Sequence, residues 1–210
     1  MTLDTWTLYV ATVLALMSTP GPSQLLMLSN SATHGFRRAL FTAAGDLSAN
    51  ALQMLAAGLG LAAIIAASGA ALTVIKWAGV VYLIWLGVRM ILRAKPDDPK
   101  LAEREPTVPL RTLWTQGFVT SAANPKAVVF FAALFPQFIS ADSAFWPQFL
   151  ILSATYIVMD GMFLSAYGSS ASWIARRFKG AARVWIERLG GGFMIAAAVL
   201  LGLKSVTDRA

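Results

Sequence analysis

The sequence predicts an all-α integral membrane protein with six transmembrane helices, arranged as two inverted three-helix repeats. Three observations carry that prediction. Of the 210 residues, 57% are hydrophobic and only 13% charged, where a soluble domain carries roughly a quarter charged residues. The apolar residues fall in continuous runs long enough to cross a hydrocarbon core, which takes about 20 residues per helix. The Lys and Arg residues gather at alternate ends of those runs, the pattern of cytoplasmic loops.

Scanning at that length places six spans at about 5–32, 38–66, 70–93, 111–137, 146–173 and 184–205. The first has no positive n-region, since Asp4 precedes it and no Lys or Arg does, so it is expected to stay as a span and not be cleaved. The runs are continuous, which argues against the alternating strands of a closed barrel. Arg37 and Arg38 follow the first span. Arg89, Arg93, Lys95, Lys100, Arg104 and Arg111 surround the junction of the third and fourth. Arg176, Arg177, Lys179, Arg183 and Arg188 precede or open the sixth, and only Lys76, Lys204 and Arg209 fall on the other side. This asymmetry puts both termini in the periplasm. If the first segment instead dips in and returns, five spans remain and the N-terminus is inside.

The whole chain, 1–210, reads as one transmembrane domain: repeat one over about 1–93, a cytoplasmic linker over about 94–110 and repeat two over about 111–205. The linker, rich in Pro, Asp and Lys, has the composition of a solvated segment. Three spans per half is odd, so a duplicated half must enter the membrane inverted. "KWAGVVYLIWLG" (76–87) and "ERLGGGFMIAAAVLLG" (187–202) share a charge-then-Gly start and a closing Gly. The first span is interrupted at "TPGP" (19–22) and the fourth at "AANPK" (122–126), so helices 1 and 4 are expected to break at these proline motifs. Discontinuous helices in corresponding places of two halves mark a transporter site at the bilayer midplane.

A charged side chain at a helix centre costs about 3 kcal/mol on insertion scales. Asp46, Asp160 and Lys126 are the residues that need such a justification. Asp4, Lys76, Arg89, Arg93 and Glu187 lie near span ends, where they can snorkel. At 1.5 Å per residue, Asp46 lies about 12 Å from the cytoplasmic end, Asn124 and Pro125 about 20 Å in from Arg111, and Asp160 about 21 Å in from Trp146. In a core about 30 Å thick these groups can share one layer with Pro20, Gly21 and Pro22.

Proline removes an N–H and displaces the carbonyl four residues back, so each break exposes backbone acceptors and helix-start donors. Such backbone is tolerated at depth only against protein or a water-filled cavity. The helix start from about Ser23 suits a carboxylate, and the carbonyls before the break suit an ammonium group. A zwitterionic amino acid offers both. The candidate substrate-binding residues are therefore Pro20, Gly21, Pro22, Ser23, Gln24, Asn50, Asn124 and Pro125. Asp46, Asp160 and Lys126 are candidates for proton coupling or a charge pair. Packing kinks at the prolines and a structural Lys126–Asp pair are the competing explanations. His34 reads as a loop residue, the glycines of "AAGLGLAAIIAASG" and "GGG" (190–192) as helix-packing positions, and Trp6, Trp77 and Trp146 as interface anchors. One His and no Cys leave no Cys-based zinc or haem site and no disulfide framework; no cofactor is expected.

"STPGPSQLLML", "HGFRRA", "KWAGVVYLIWLG" and "NPKAVVFFAALFPQF" closely resemble the lysine exporter (LysE/RhtB) family, nearest to its homoserine, homoserine-lactone and threonine efflux branch, over residues from about 2 to 205. The resemblance implies export of amino acids or their derivatives from the cytoplasm, driven by proton motive force, in the bacterial inner membrane. Pro20, Gly21 and Pro22 match the family's first break, Asn124, Pro125 and Lys126 its second, and Asp160 an acid of the fifth span. Asp46 departs from the pattern, as does Ala49 in place of a glycine; Asn50 lies one turn after Asp46 on the same face and is expected to share its work.

The expected function is secondary export of small neutral amino acids, threonine- or homoserine-like, by proton antiport, and not an enzymatic one. The expected partners are the amino acid, protons and the lipid bilayer. A homodimer is an open alternative, and the positive charge is assigned to loops and not to nucleic acid. A channel-like pore is one rival, without a filter motif or ring of like charges. The other is an intramembrane aspartyl protease, in which Asp46 and Asp160 would share a proton.

Overall fold

The computed structural model describes residues 1–18, 20–60, 69–94, 108–140, 142–178 and 181–203. Thr19, Lys179, Lys204, Arg209, the end of the second expected span and nearly all of the expected linker lie outside them. Every regular element among the described residues is a helix, and none of them is a strand.

The first apolar stretch forms two helices, α1 (Leu3–Ser18) and α2 (Pro22–His34). Pro22 takes the first helical position, where its missing N–H costs nothing. Gly21 precedes it in extended backbone, its N–H donating to Gln24 Oε1 at 2.9 Å. Gly35, at φ +80°, then turns the chain into α3 (Phe36–Gly58), a conformation only glycine adopts without strain. Helix α4 covers Gly69–Arg93.

The second half opens with α5 (Leu110–Ala122), followed by α6 (Pro125–Val129). Asn124 caps α6, its Oδ1 accepting from the Lys126 N–H at 3.1 Å. The chain continues through a π-helical turn, Phe130–Leu134, and a 3₁₀ turn, Phe135–Phe138. Gln148 then clamps the connection from both ends of its amide: Oε1 accepts from the Ser140 N–H and Nε2 donates to the Ser140 carbonyl, both at 3.0 Å. Two long helices finish the chain, α7 (Phe145–Phe178) and α8 (Ala181–Leu203). Among the described residues, one segment, Phe145–Ala175 of α7, is by itself long and apolar enough to cross a membrane; α1 and Trp77–Leu92 of α4 are shorter apolar helices.

Packing is pairwise. Helix α3 lies against α5, α4 against α8, and α2 against α7, with α2 also touching α3, α5 and α8. Glycines set the closest approaches. A Cβ on Gly45 would stand 1.9 Å from the Trp114 carbonyl oxygen, and one on Gly117 1.9 Å from that of Thr42, so α3 and α5 cross with their backbones in contact. Gly87 and Gly191 do the same for α4 and α8, each facing the other's carbonyl oxygen. Of the glycines expected to pack helices, Gly58 meets Phe149 and Gly190 meets Met90, whereas Gly60 and Gly192 face open space.

An aromatic cluster fills the region between α1, α6 and α7. Tyr9, Phe130, Phe131, Phe135, Phe149 and Tyr156 are buried in mutual ring contact, and the Tyr9 hydroxyl donates to the Leu152 carbonyl at 3.2 Å. Trp6 also turns inward, its Nε1 donating to Thr155 Oγ1 at 3.1 Å. The outer faces carry large apolar side chains instead, among them Trp77, Val81 and Trp85 on α4 and Trp173 and Trp185 on α7 and α8. A soluble monomer seldom exposes so much apolar surface; lipid is the solvent that suits it.

Candidate functional site

The two interruptions of the helices meet. Asn124 Nδ2, at the start of α6, donates to Ser23 Oγ, at the start of α2, at 3.4 Å. Lys126 Nζ reaches across to the Leu16 carbonyl in the last turn of α1, at 2.9 Å. Carbonyls at a helix end have no partner within the helix and carry partial negative charge, so an ammonium group suits this one. Lys126 packs beside Gly21, where a Cβ would stand 3.6 Å from Nζ, an ordinary contact distance.

Beside these breaks α3 and α7 supply two acids. Asn50 holds both: its Nδ2 donates to Asp46 Oδ2 at 2.9 Å and to Asp160 Oδ2 at 2.8 Å. The amide oxygen of Asn50 accepts from Ser121 Oγ on α5, at 2.9 Å. A single side chain thereby ties α3, α5 and α7 together. Asp46, Asn50 and Asp160 are each at most 3% exposed, and among the described residues no hydrogen bond is made to Asp46 Oδ1.

Ser23, Gln24, Asp46, Asn50, Asn124, Lys126 and Asp160 line one common cavity. Its free space suits about one water molecule. Of the remaining sequence candidates, Pro20 is exposed, Gly21 and Pro22 are buried at the start of α2, and Pro125 opens α6. Ser121 and Tyr156 escaped the sequence reading, whereas the Leu16 carbonyl, four residues before Pro20, is one of the acceptors that the break was expected to free for an ammonium group. Tyr156 lies one turn before Asp160, on the same face of α7, a spacing that could have flagged it. Ser121 gave no such signal.

A second polar cavity occupies the end of the bundle that carries Arg37 and Arg38. Asn30, Thr33 and His34 of α2, Arg89 of α4, Gln116 of α5 and Glu187 of α8 line it. Thr33 Oγ1 donates to Glu187 Oε1 at 2.6 Å. Asn30 Nδ2 donates to Thr42 Oγ1 at 2.9 Å and to Gln116 Oε1 at 3.1 Å. Glu187 is only 2% exposed, so the structure corrects its assignment as a snorkelling end residue: α2 and α8 close over it. His34, read as a loop residue, is the last residue of α2 and part of this lining. Nearby, Arg38 Nη2 donates to the Val108 carbonyl and pins the start of α5.

Comparison with known proteins now places the chain. The family model for LysE type translocators matches residues 14–205. The homoserine/homoserine lactone efflux protein of Salmonella typhimurium is 33% identical over 206 residues, which are 97% of this chain and 99% of that protein. An uncharacterized membrane protein of Vibrio cholerae is 31% identical over 84% of this chain and 85% of its own. The leucine efflux protein of Enterobacter sp. is 30% identical over 91% and 90%. No solved structure matches. With nearly the whole chain covered, the protein belongs to the LysE type translocator family, whose relatives are amino-acid efflux proteins.

Proposed function

We propose that this protein is a secondary transporter of the bacterial inner membrane that exports small neutral amino acids by proton antiport. Six spans in two inverted repeats, with both termini in the periplasm, form its frame. The observation that carries the proposal is the charge inventory of the central cavity: Asp46 and Asp160 share one Asn50 amide, and Lys126 is the cation among the lining residues.

Two carboxylates beside one ammonium group leave one negative charge in excess. In a site shielded from water that charge calls for a partner. A proton can supply it, and so can the α-ammonium group of an amino acid. The two occupants exclude one another at the same oxygen atoms, which is the chemical requirement of exchange. A proton entering from outside releases the ammonium group outward; loss of that proton inward readies the site for the next molecule. The amino acid's carboxylate finds its own complement in the first-turn amides of α2 and in Lys126. Coupling follows because the acid pair accepts either the proton or the ammonium group and not both at once.

Homoserine and leucine, named for the relatives, are the first substrates to try. Membrane vesicles holding the protein are loaded with each amino acid, and efflux is followed with and without an imposed pH gradient. Saturable efflux driven by the gradient is expected, and Asp160→Asn is expected to reduce it to background at an undiminished protein level. Non-saturating, gradient-independent flux would mean a pore, and an active Asp160→Asn protein would remove that residue from coupling.

A further inference from the structure

The second cavity has the composition of a site, and the central exchange reaction does not use it. It joins a carboxylate, Glu187, to a guanidinium, Arg89, with the amides of Asn30 and Gln116 between α2 and α5. Asn30 and Gln116 are more than nine-tenths buried, as Glu187 is. Arg89 rests 5.1 Å from the centre of the Trp85 ring, which helps fix its head group. A carboxylate and a guanidinium lining one cavity have the charges that complement a zwitterion.

Buried polar residues lie between this cavity and the centre. Along α3 the buried polar residues Thr42, Asp46 and Asn50 recur every four positions, and on and just beyond α5 Gln116, Thr120 and Asn124 do the same. Residues four apart share a helix face, and these two faces meet where α3 and α5 cross at Gly45 and Gly117. On α2, Asn30 and Thr33 lie about 10–15 Å along the axis from Ser23. A polar seam thus runs from Glu187 to Asp46, starting at the arginine-bearing end of the bundle.

We propose that the second cavity is a loading subsite for the zwitterionic amino acid, in which Glu187 takes the α-ammonium group and Arg89 the α-carboxylate. The proposal rests on the export function and on the arginine-bearing end facing the cytoplasm. As found, the cavity has room for about a water or two, and the Thr33–Glu187 bond holds α2 to α8 across it. The ammonium group replaces the Thr33 hydroxyl on Glu187, so arrival of substrate and parting of the two helices are one event. The amino acid then passes down the seam to the two acids.

Two substitutions separate this from a purely structural bond. Glu187→Gln keeps an oxygen that accepts from Thr33 but removes the charge. Thr33→Val removes the bond but keeps the carboxylate. The assay is uptake of labelled homoserine and leucine into inside-out vesicles, which expose the cytoplasmic face, with protein amount measured in each preparation. Glu187→Gln is expected to raise KM about tenfold or more, as loss of a charge-assisted hydrogen bond does, with a smaller change in kcat; Thr33→Val is expected to lower KM. An unchanged KM in Glu187→Gln, or a KM raised by Thr33→Val, overturns the subsite. If Glu187→Gln fails to accumulate, Arg89→Gln tests the carboxylate side: a raised KM for both amino acids supports the subsite, and an unchanged one overturns it. Wild-type vesicles that take up neither amino acid overturn the export function, and the subsite falls with it.

Discussion

Asn50 and Lys126 do opposite jobs for the same pair of acids. Asn50 positions them with its two N–H groups, whereas Lys126 is the cation among the residues that line their cavity. Removing either leaves buried charge without compensation, but the remedies differ. Lys126→Met is expected to lower the amount of folded protein, since it leaves the two buried acids without a cation in their cavity, where an uncompensated buried charge costs about 3–5 kcal/mol. Adding Asp160→Asn is expected to restore part of that amount by removing the surplus carboxylate, without restoring transport. Detergent-solubilised protein run by size exclusion and thermal melting reads both outcomes; a double variant less stable than Lys126→Met would show that the two charges do not compensate each other. Asn50→Ala, by contrast, leaves the charge count alone and strands both Oδ2 atoms. It is expected to cost about 1–3 kcal/mol for each acceptor left bare, measured by denaturant unfolding, and no second charge change should rescue it.

At the scale of the element, the crossing of α3 and α5 decides whether those side chains meet at all. Gly45 immediately precedes Asp46, and Gly117 lies one turn before Ser121. A methyl group on either would have to occupy the position of a backbone carbonyl. Gly45→Ala and Gly117→Ala are each expected to push the helices apart and lose about 1–3 kcal/mol, as overpacking does, and to weaken efflux through the displaced Asp46–Asn50–Ser121 chain. Gly192→Ala has open space before it and should melt with the wild type; if all three behave alike, the crossing is not the source of the effect. These two glycines were invisible in the sequence because each stands alone amid ordinary helix-forming residues, while the conspicuous "GGG" contains one residue that packs against a backbone and one that faces nothing. Asp46, Lys126 and Asp160 were legible for the converse reason: charge in the middle of an apolar run is expensive and stands out. Ser121 and Tyr156 are cheap in such a run, and Glu187 near a helix end looks like any interfacial acid until α2 is seen folded over it. Which face of α2 meets α8 is a tertiary fact with no local signature.

At the scale of the molecule, the packing pairs have the form that two swapped halves would give. Helix α4 pairs with α8, and α3 packs on the second half's broken segment as α7 packs on the first half's. Pro22 and Pro125 each take the first helical position after a break, as corresponding places in a duplicated, inverted half would. Both polar cavities have room for little more than water, so passage of an amino acid requires the helices around them to part. Inversion makes a topological demand that labelling can check, and the absence of cysteine makes single-cysteine variants free of background. A membrane-impermeant thiol reagent applied to intact spheroplasts is expected to modify Thr2→Cys and Thr207→Cys, and to modify Asp98→Cys only after the membrane is opened. Protection of Thr2→Cys with modification of Thr207→Cys would mean that the first segment enters and returns on one side. The halves would then carry unequal numbers of spans, and the acids of α3 and α7 would need another explanation for meeting at one depth.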